Sequence, residues 1–384
     1  MNETLFEQLR GVAQPIEAAT GLANPFYVDS DLFEAEKRLV FWRGWAGIGF
    51  TQDVPEPGSA FPLTFQGQPL VMIRDREGEL RVFHNVCRHR GMILVETPTT
   101  LRNVVRCPYH SWCYELNGRL RATPHVGGPG HNSHPCLERD QLGLIEVPSA
   151  VLLGTVFVNL DGKARPFRSH AAPLIERWDA FQHRTLHHGG AISTLEFDLQ
   201  TNWKLAVENY CESYHLPWIH PGLNSYSHLA DHYNIVSFGH AGQGTDVYAP
   251  DLELAGKRLA DFPNLPERWA SAAEYVALFP NVLLGVHKDH VFSIVLLPQA
   301  ADRTLERIAL FYANSSITAD DHADLRQHHA ARWREVFAED VFVVEGMQRG
   351  RASLGFDGGR FSPVMDQATH AFHGWLAAQC SPQG

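Results

Sequence analysis

The feature that most restricts how this chain can fold is a double cysteine–histidine motif. Cys87-Arg-His89 is followed, after the seventeen residues 90–106, by Cys107-Pro-Tyr-His110. Two thiols and two imidazoles spaced so closely act together only if two loops converge on one point, which calls for short, well-paired strands around them. The flanking sequence reads that way. From Trp42 onward, apolar runs such as 69–74 and 80–84 are separated by turn signals such as Arg76-Glu-Gly78, the texture of a small all-β unit. After the second pair, 113–116 and 119–122 flank Asn117-Gly118, a strong hairpin signal that would stiffen the second loop. A structural zinc site or unrelated buried thiols are the competing readings. Zinc more often uses a close pair of cysteines followed by a close pair of histidines.

Two thiolates on one iron and two imidazoles on the other make the ligand set of a Rieske [2Fe–2S] centre, in which the imidazoles raise the reduction potential. Cys87, His89, Cys107 and His110 are the candidates. Pro108 restricts the second loop, and Gly91 is expected to permit close backbone approach in the first. Cys113 and Cys136 have no histidine at ligand spacing and read as bystanders.

A second run, Trp203 to Pro221, carries Glu212, His215 and His220. Trp203, Val207, Tyr210 and Tyr214 recur at helical spacing, which predicts a helix from an Asn202 cap to about Leu216. Glu212 and His215 would then touch at i and i+3. Pro217 would stop the helix and let the chain bring His220 back to His215. Two imidazoles plus one carboxylate form the face that holds non-haem Fe(II) and leaves positions open for oxygen. A core histidine and a surface histidine are the plainer reading. For the carboxylate, a helix over about 320–349 has Trp333, Val336, Phe337, Val341, Val344 and Met347 on its apolar side. Asp340 falls on that side, whereas Glu339 is rotated about 100° away. An ionised aspartate facing a core needs a cation, supplied by a metal or by an arginine such as Arg349.

Length and charge narrow the function classes. A chain of 384 residues suggests two domains, and a net charge of -11 without a local basic cluster argues against nucleic acid. No apolar run approaches a membrane span, and an acid follows Met1-Asn2 where a secretory leader would be positive. Six cysteines without an export signal are expected to be reduced thiols or ligands. The expectation is a cytoplasmic protein with no membrane partner. Gly242-Gln-Gly244 lacks the third glycine of a dinucleotide fingerprint, so electrons from NAD(P)H must come through a separate reductase.

Taken together, Cys87-x-His89-Arg-Gly91, Cys107-Pro-Tyr-His110-x-Trp112, Asn202-Trp-Lys204, Glu208-Asn209 and Glu212-x-Tyr-His215-x4-His220 resemble the oxygenase (α) subunit of Rieske non-haem iron oxygenases. The likeness spans about residues 40–350 in the family's order, and the region Glu339-Asp340 to Gln348 is similar to its third-ligand segment. Ser111 stands where the family usually has glycine. Glu212 stands where most members have aspartate; members acting on quaternary ammonium compounds, such as carnitine and glycine betaine oxygenases, are similar to this chain in having glutamate there.

The resemblance implies an α+β fold. An all-β Rieske domain (41–158) would be joined to a helix-grip catalytic domain (159–384), an antiparallel sheet around a long C-terminal helix, with residues 1–40 packing on the latter. It implies a [2Fe–2S] cluster, mononuclear Fe(II) on His215, His220 and Asp340, and O2 as co-substrate. Glu212 and Asn209 would be catalytic, with Glu212 bridging to the cluster of a neighbour in a head-to-tail homotrimer; its alternative is a solvated stripe with Lys204 and Glu208. Phe279-Pro-Asn281 would approach the substrate cavity. The expected reaction is hydroxylation beside a quaternary nitrogen, by monooxygenation rather than dioxygenation, causing N-dealkylation or C–N cleavage. Tyr226, Tyr233, Trp269, Tyr275 and Phe292 are available to hold the cation. Oxidation of an aromatic or alicyclic acid, or an electron carrier using the cluster alone, are the alternatives.

Overall fold

The computed structural model describes residues 3–381 apart from residue 357. Contacts divide the chain into two compact units, Ile48–Lys163, and the chain up to Gly47 together with Ala164 onward.

The smaller unit is built from short antiparallel strands, as the turn spacing requires. One sheet runs in the order Leu80–His84, Gln68–Arg74, Ser59–Phe65, Thr99–Thr100. Another runs Val104–Arg106, Cys113–Glu115, Leu120–Ala122. Asn117-Gly118 makes the expected hairpin: Gly118 takes φ +88° and the Glu115 amide donates to the Arg119 carbonyl. Val71, Ile73, Phe83, Val105, Tyr114 and Leu120 form a core that also buries Cys87 and Cys107.

The larger unit carries an eight-stranded antiparallel sheet. Its order is His187–His188, Arg303–Tyr312, His290–Ala300, Val282–Val286, Ala273–Leu278, His240–Thr245, His232–Val236, with Thr194–Leu199 also paired to Arg303–Tyr312. One row of cross-strand partners runs Gln243, Tyr275, Gly285, Phe292. Cross-strand partners share a face, so this row paves the sheet, and a side chain at Gly285 would collide with the Phe292 ring. The helix Ala323–Gly350 lies over the pavement, with Trp333 and Phe337 rings 4.6 and 5.3 Å from Phe292. This is the gripped helix, but it is not the last. Gln367–Cys380 follows it and packs on His232–Val236, His240–Thr245 and Trp203–Cys211. Its buried Phe372, Trp375 and Leu376 supply the apolar face that places it there.

Residues before Gly47 are tied to this larger unit by buried polar links. Lys204 meets both Glu36 oxygens at 2.7 Å, and Tyr27 donates to Glu208, which also faces Arg351 and His373. Lys204 and Glu208 are therefore paired in the interior and form no solvated stripe with Glu212. Among the described residues no helix is long and apolar enough to cross a membrane.

Candidate active site

The two cysteine–histidine loops have matched backbones. The Gly91 amide donates to the Cys87 carbonyl and the Ser111 amide to the Cys107 carbonyl. Each loop thus closes four residues after its cysteine, at a residue with positive φ, +72° for Gly91 and +57° for Ser111. Nothing lies within 4 Å of where a Gly91 side chain would start. Its positive φ is a backbone conformation that glycine adopts without strain. Ser111 holds the same region, and its hydroxyl accepts from Arg106 at 2.9 Å. The loops bring His89 and His110 to 4.7 Å between ring centroids, with Trp112 stacked on His89. The Tyr114 hydroxyl lies 3.2 Å from Cys87 Sγ. Burial pushes the Cys87 thiol up, against the Tyr114 hydroxyl, while burial, His110 and Arg90 keep His89 below its ordinary value. Two imidazoles beside two buried thiols are a donor set that fits a mixed nitrogen–sulfur cluster better than a disulfide, and all the described cysteines are free.

The second cluster forms by a different local route from the one the sequence predicts. The helix ends at Cys211, not near Leu216, and Glu212 is extended at φ -118°, ψ 158°. Its carboxylate accepts from the amides of Tyr214 and His215, a side-chain cap that competes with helix continuation. Tyr214 is consequently exposed, and Pro217 sits in the first turn of a new short helix, Leu216–Ile219. The contact survives: Glu212 Oε1 lies 2.6 Å from His215 Nδ1.

His220 Nδ1 lies 2.7 Å from Glu339 Oε2. Each imidazole thus gives its Nδ1–H to a carboxylate and turns a lone pair on Nε2 toward Asp340. The Asp340 Oδ1 atom is 3.8 Å from His215 Nε2 and 3.0 Å from His220 Nε2. The latter is a close approach and not a hydrogen bond, because this buried oxygen has no hydrogen-bonding partner. Three electron-rich atoms within 4.8 Å of one another need a cation among them. Two imidazoles and a carboxylate suit ferrous iron. Burial lowers the His220 imidazolium, but Asp340 and Glu339 outweigh it and leave the group above its ordinary value. Arg349, the alternative partner for Asp340, is exposed.

Comparison with known proteins decides the family. Residues 44–137 match the Rieske [2Fe-2S] domain, and residues 175–382, more than half of the chain, match the ring hydroxylating alpha subunit catalytic domain. The chain belongs to the ring-hydroxylating oxygenase alpha subunits. It is 26% identical over 369 residues to the carnitine monooxygenase oxygenase subunit of Acinetobacter baumannii, covering 91% of this chain and 90% of that one. It is 26% identical over 372 residues to the chloroplastic choline monooxygenase of Atriplex hortensis, covering 94% and 78%. The fold is shared with a quaternary ammonium Rieske monooxygenase solved with L-carnitine, at TM-score 0.76 and 23% identity over 97% of this chain and 99% of that one. Naphthalene 1,2-dioxygenase from a Rhodococcus species has the same TM-score, 0.76, at 17% identity, covering 98% of each chain.

A ring-hydroxylating alpha subunit is a Rieske oxygenase whose cofactors are a [2Fe–2S] cluster and a mononuclear iron, with O2 as co-substrate. Beside the histidine–aspartate cluster lies a cavity of about 50 Å3. Tyr210, Tyr275, Phe292, Trp333 and Phe337 form its aromatic walls, and Ser227, His232 and Gln243 form a polar corner. Asn209, Glu212 and Asp340 also line it, and among the described residues no arginine or lysine does.

Of the five aromatic residues named from sequence, only Tyr275 and Phe292 reach the cavity. Tyr233 donates to Glu274, Trp269 lies under Arg268, and Tyr226 packs on Tyr248. Phe279-Pro-Asn281 does not line the cavity either: Phe279 packs on Phe372 and Trp375, and Asn281 is bonded to Gly47 and Leu296. Glu339 is the residue that sequence reasoning set aside. Its rotation about the helix is as expected, but the side chain reaches back to His220. The only signal was its adjacency to Asp340.

Proposed function

We propose that this oxygenase hydroxylates a small quaternary ammonium compound at a methyl or methylene beside the nitrogen. One oxygen atom would be inserted, with loss of an N-alkyl group or C–N cleavage following. The observation that carries the reading is the composition of the cavity: five aromatic rings and the Glu212 carboxylate beside the candidate iron ligands, with no arginine or lysine among the described residues. Aromatic faces and carboxylates attract an onium, whereas an aromatic or alicyclic acid would lack a counter-ion there. The carnitine and choline monooxygenases among the relatives agree with it.

In this reading Cys87, His89, Cys107 and His110 hold the cluster, and His215, His220 and Asp340 hold the iron. When bound, these groups supply single electrons and the binding and reduction of dioxygen. The chain's own residues orient and insulate. Glu212 and Glu339 hold the Nδ1 protons of His215 and His220, which fixes each tautomer and keeps each Nε2 lone pair directed inward. Phe337, Trp333 and Tyr210 give the cavity apolar walls, and Asn209 and Asp340 both line it. Glu212 retains lone pairs to accept from a cluster histidine of an adjacent copy, the bridge that a head-to-tail homotrimer requires. A separate NAD(P)H-dependent reductase feeds the cluster. Free cysteines fit a reducing compartment such as the cytoplasm.

The test is metal content and oxygen uptake. Reconstituted enzyme should hold about three irons per chain against two for an electron carrier. With reductase, trimethylammonium compounds should stimulate O2 uptake and release an aldehyde or a smaller amine. Two irons, or stimulation by aromatic acids alone, would overturn the reading.

A further inference from the structure

The polar corner of the cavity carries information about the other end of the substrate. His232 faces Gln243 Oε1 through Nδ1, and its Nε2 lies 3.0 Å from Ser227 Oγ. With a carbonyl oxygen against it, Nδ1 carries the proton. Nε2 therefore accepts from the serine hydroxyl, and both ring nitrogens are used within the corner. Burial keeps this imidazole below its ordinary value, in keeping with a neutral ring. What is left over is the amide nitrogen of Gln243. That side chain is 7% exposed, lines the cavity, and its Nε2 has no partner among the described residues. Gln243 is also the polar end of the row that continues through Tyr275 to Phe292. The pavement thus runs from a neutral donor to aromatic faces. Arg332, adjacent in sequence to Trp333, is committed elsewhere, donating to the Asp251 carbonyl and lying over the Tyr226 ring.

We propose that Ser227, His232 and Gln243 form an uncharged polar pole that takes the hydroxyl or carbonyl end of the substrate and rejects a carboxylate there. This rests on the onium reading for the opposite end. A neutral oxygen accepts from Gln243 Nε2 and satisfies a buried donor. A carboxylate at the same place finds one neutral amide and, among the described residues, no arginine or lysine, with the Glu212 carboxylate on the same cavity wall, so its desolvation is poorly compensated. The preferred substrate is therefore an amino-alcohol type of onium and not a zwitterionic betaine.

The experiment is equilibrium binding to the anaerobic holoenzyme, with four probes of matched size. Hydroxyethyl-trimethylammonium and carboxymethyl-trimethylammonium form the cationic pair. Dimethylbutanol and dimethylbutanoate, in which a tert-butyl group replaces the trimethylammonium, form the neutral-headed pair. The alcohol should bind about tenfold or more tightly than the carboxylate in both pairs, and Gln243→Met, which keeps length but removes the donor, should weaken alcohol binding about tenfold. Ser227→Ala, a smaller change that frees the His232 ring, should weaken the same preference. Equal or tighter binding of the carboxylate in either pair overturns the proposal, as does an unchanged ratio in both variants. The head group is read separately: if dimethylbutanol binds as tightly as its cationic analogue while the alcohol preference persists, the onium reading falls and the polar pole stands.

Discussion

Glu339 and Asp340, consecutive residues of one helix, grip opposite edges of the same ring: Glu339 Oε2 is 2.7 Å from His220 Nδ1, and Asp340 Oδ1 is 3.0 Å from its Nε2. The turn of about 100° between neighbours on a helix opens a fork wide enough to span an imidazole. Glu339→Gln keeps a carbonyl acceptor for the Nδ1 proton but removes the charge that makes the ligand basic. Iron affinity should fall about 10–100-fold with the cluster untouched. Competition with a ferrous chelator, alongside the visible spectrum of the cluster, reads this.

Glu212 meets His215 in the same way, and it is also the proposed link between copies. Glu212→Gln should retain both iron centres but lose coupled turnover, with reducing equivalents no longer appearing as product. Normal product yield per NAD(P)H consumed would remove the bridge from the account.

Trp333, a cavity wall, is held from behind. Its indole Nε1–H donates to His290 Nε2 at 3.0 Å, and His290 Nδ1 meets Asp289 at 2.6 Å, so the carboxylate sets the tautomer that the indole requires. His290→Leu leaves the indole proton buried without an acceptor and should cost about 1–3 kcal/mol. Denaturant unfolding gives the cost. A shifted tryptophan emission with unchanged iron content would place the effect at the wall and not at the metal.

Buried histidines should make the fold acid-labile. Burial, then Arg177 and His170, pull His240 down to about 4; burial, then His290 and His329, pull His287 well below its ordinary value; and burial, then His290 and Arg332, do the same to His329. In the unfolded chain each takes a proton near pH 6.5. Between there and the folded value the unfolded state binds more protons, so stability is complete above about pH 6.5 and falls as the solution is acidified. For His240 the loss is on the order of 3 kcal/mol by pH 4. His240→Gln should unfold at lower pH than the parent when followed by circular dichroism.

Both candidate metal sites were legible because most of their residues come from short runs in which spacing alone implies convergence. The Cys87–His89 and Cys107–His110 loops are the clearest case. Asp340 was legible from helical periodicity, since a charge on an apolar face demands a partner. The helix end at Cys211 was not legible, because it depends on whether the Glu212 carboxylate or the next turn of backbone captures the Tyr214 and His215 amides. Nor was the cavity wall. Tyr210, Trp333 and Phe337 read as ordinary core in the sequence, and Tyr226, Tyr233 and Trp269 look equally suited to a cation.

The sequence by itself determined the family, the two kinds of metal chemistry and the residues able to serve them, since these follow from side-chain type and spacing along one chain. The tertiary structure alone decided that Glu339 meets His220, that Gln243 and Tyr275 stand side by side, and that among the described residues no arginine or lysine lines the cavity. Those facts depend on the register between strands and on which face of a helix meets which strand. Both are set by packing among residues far apart in the chain, and no local pattern encodes them.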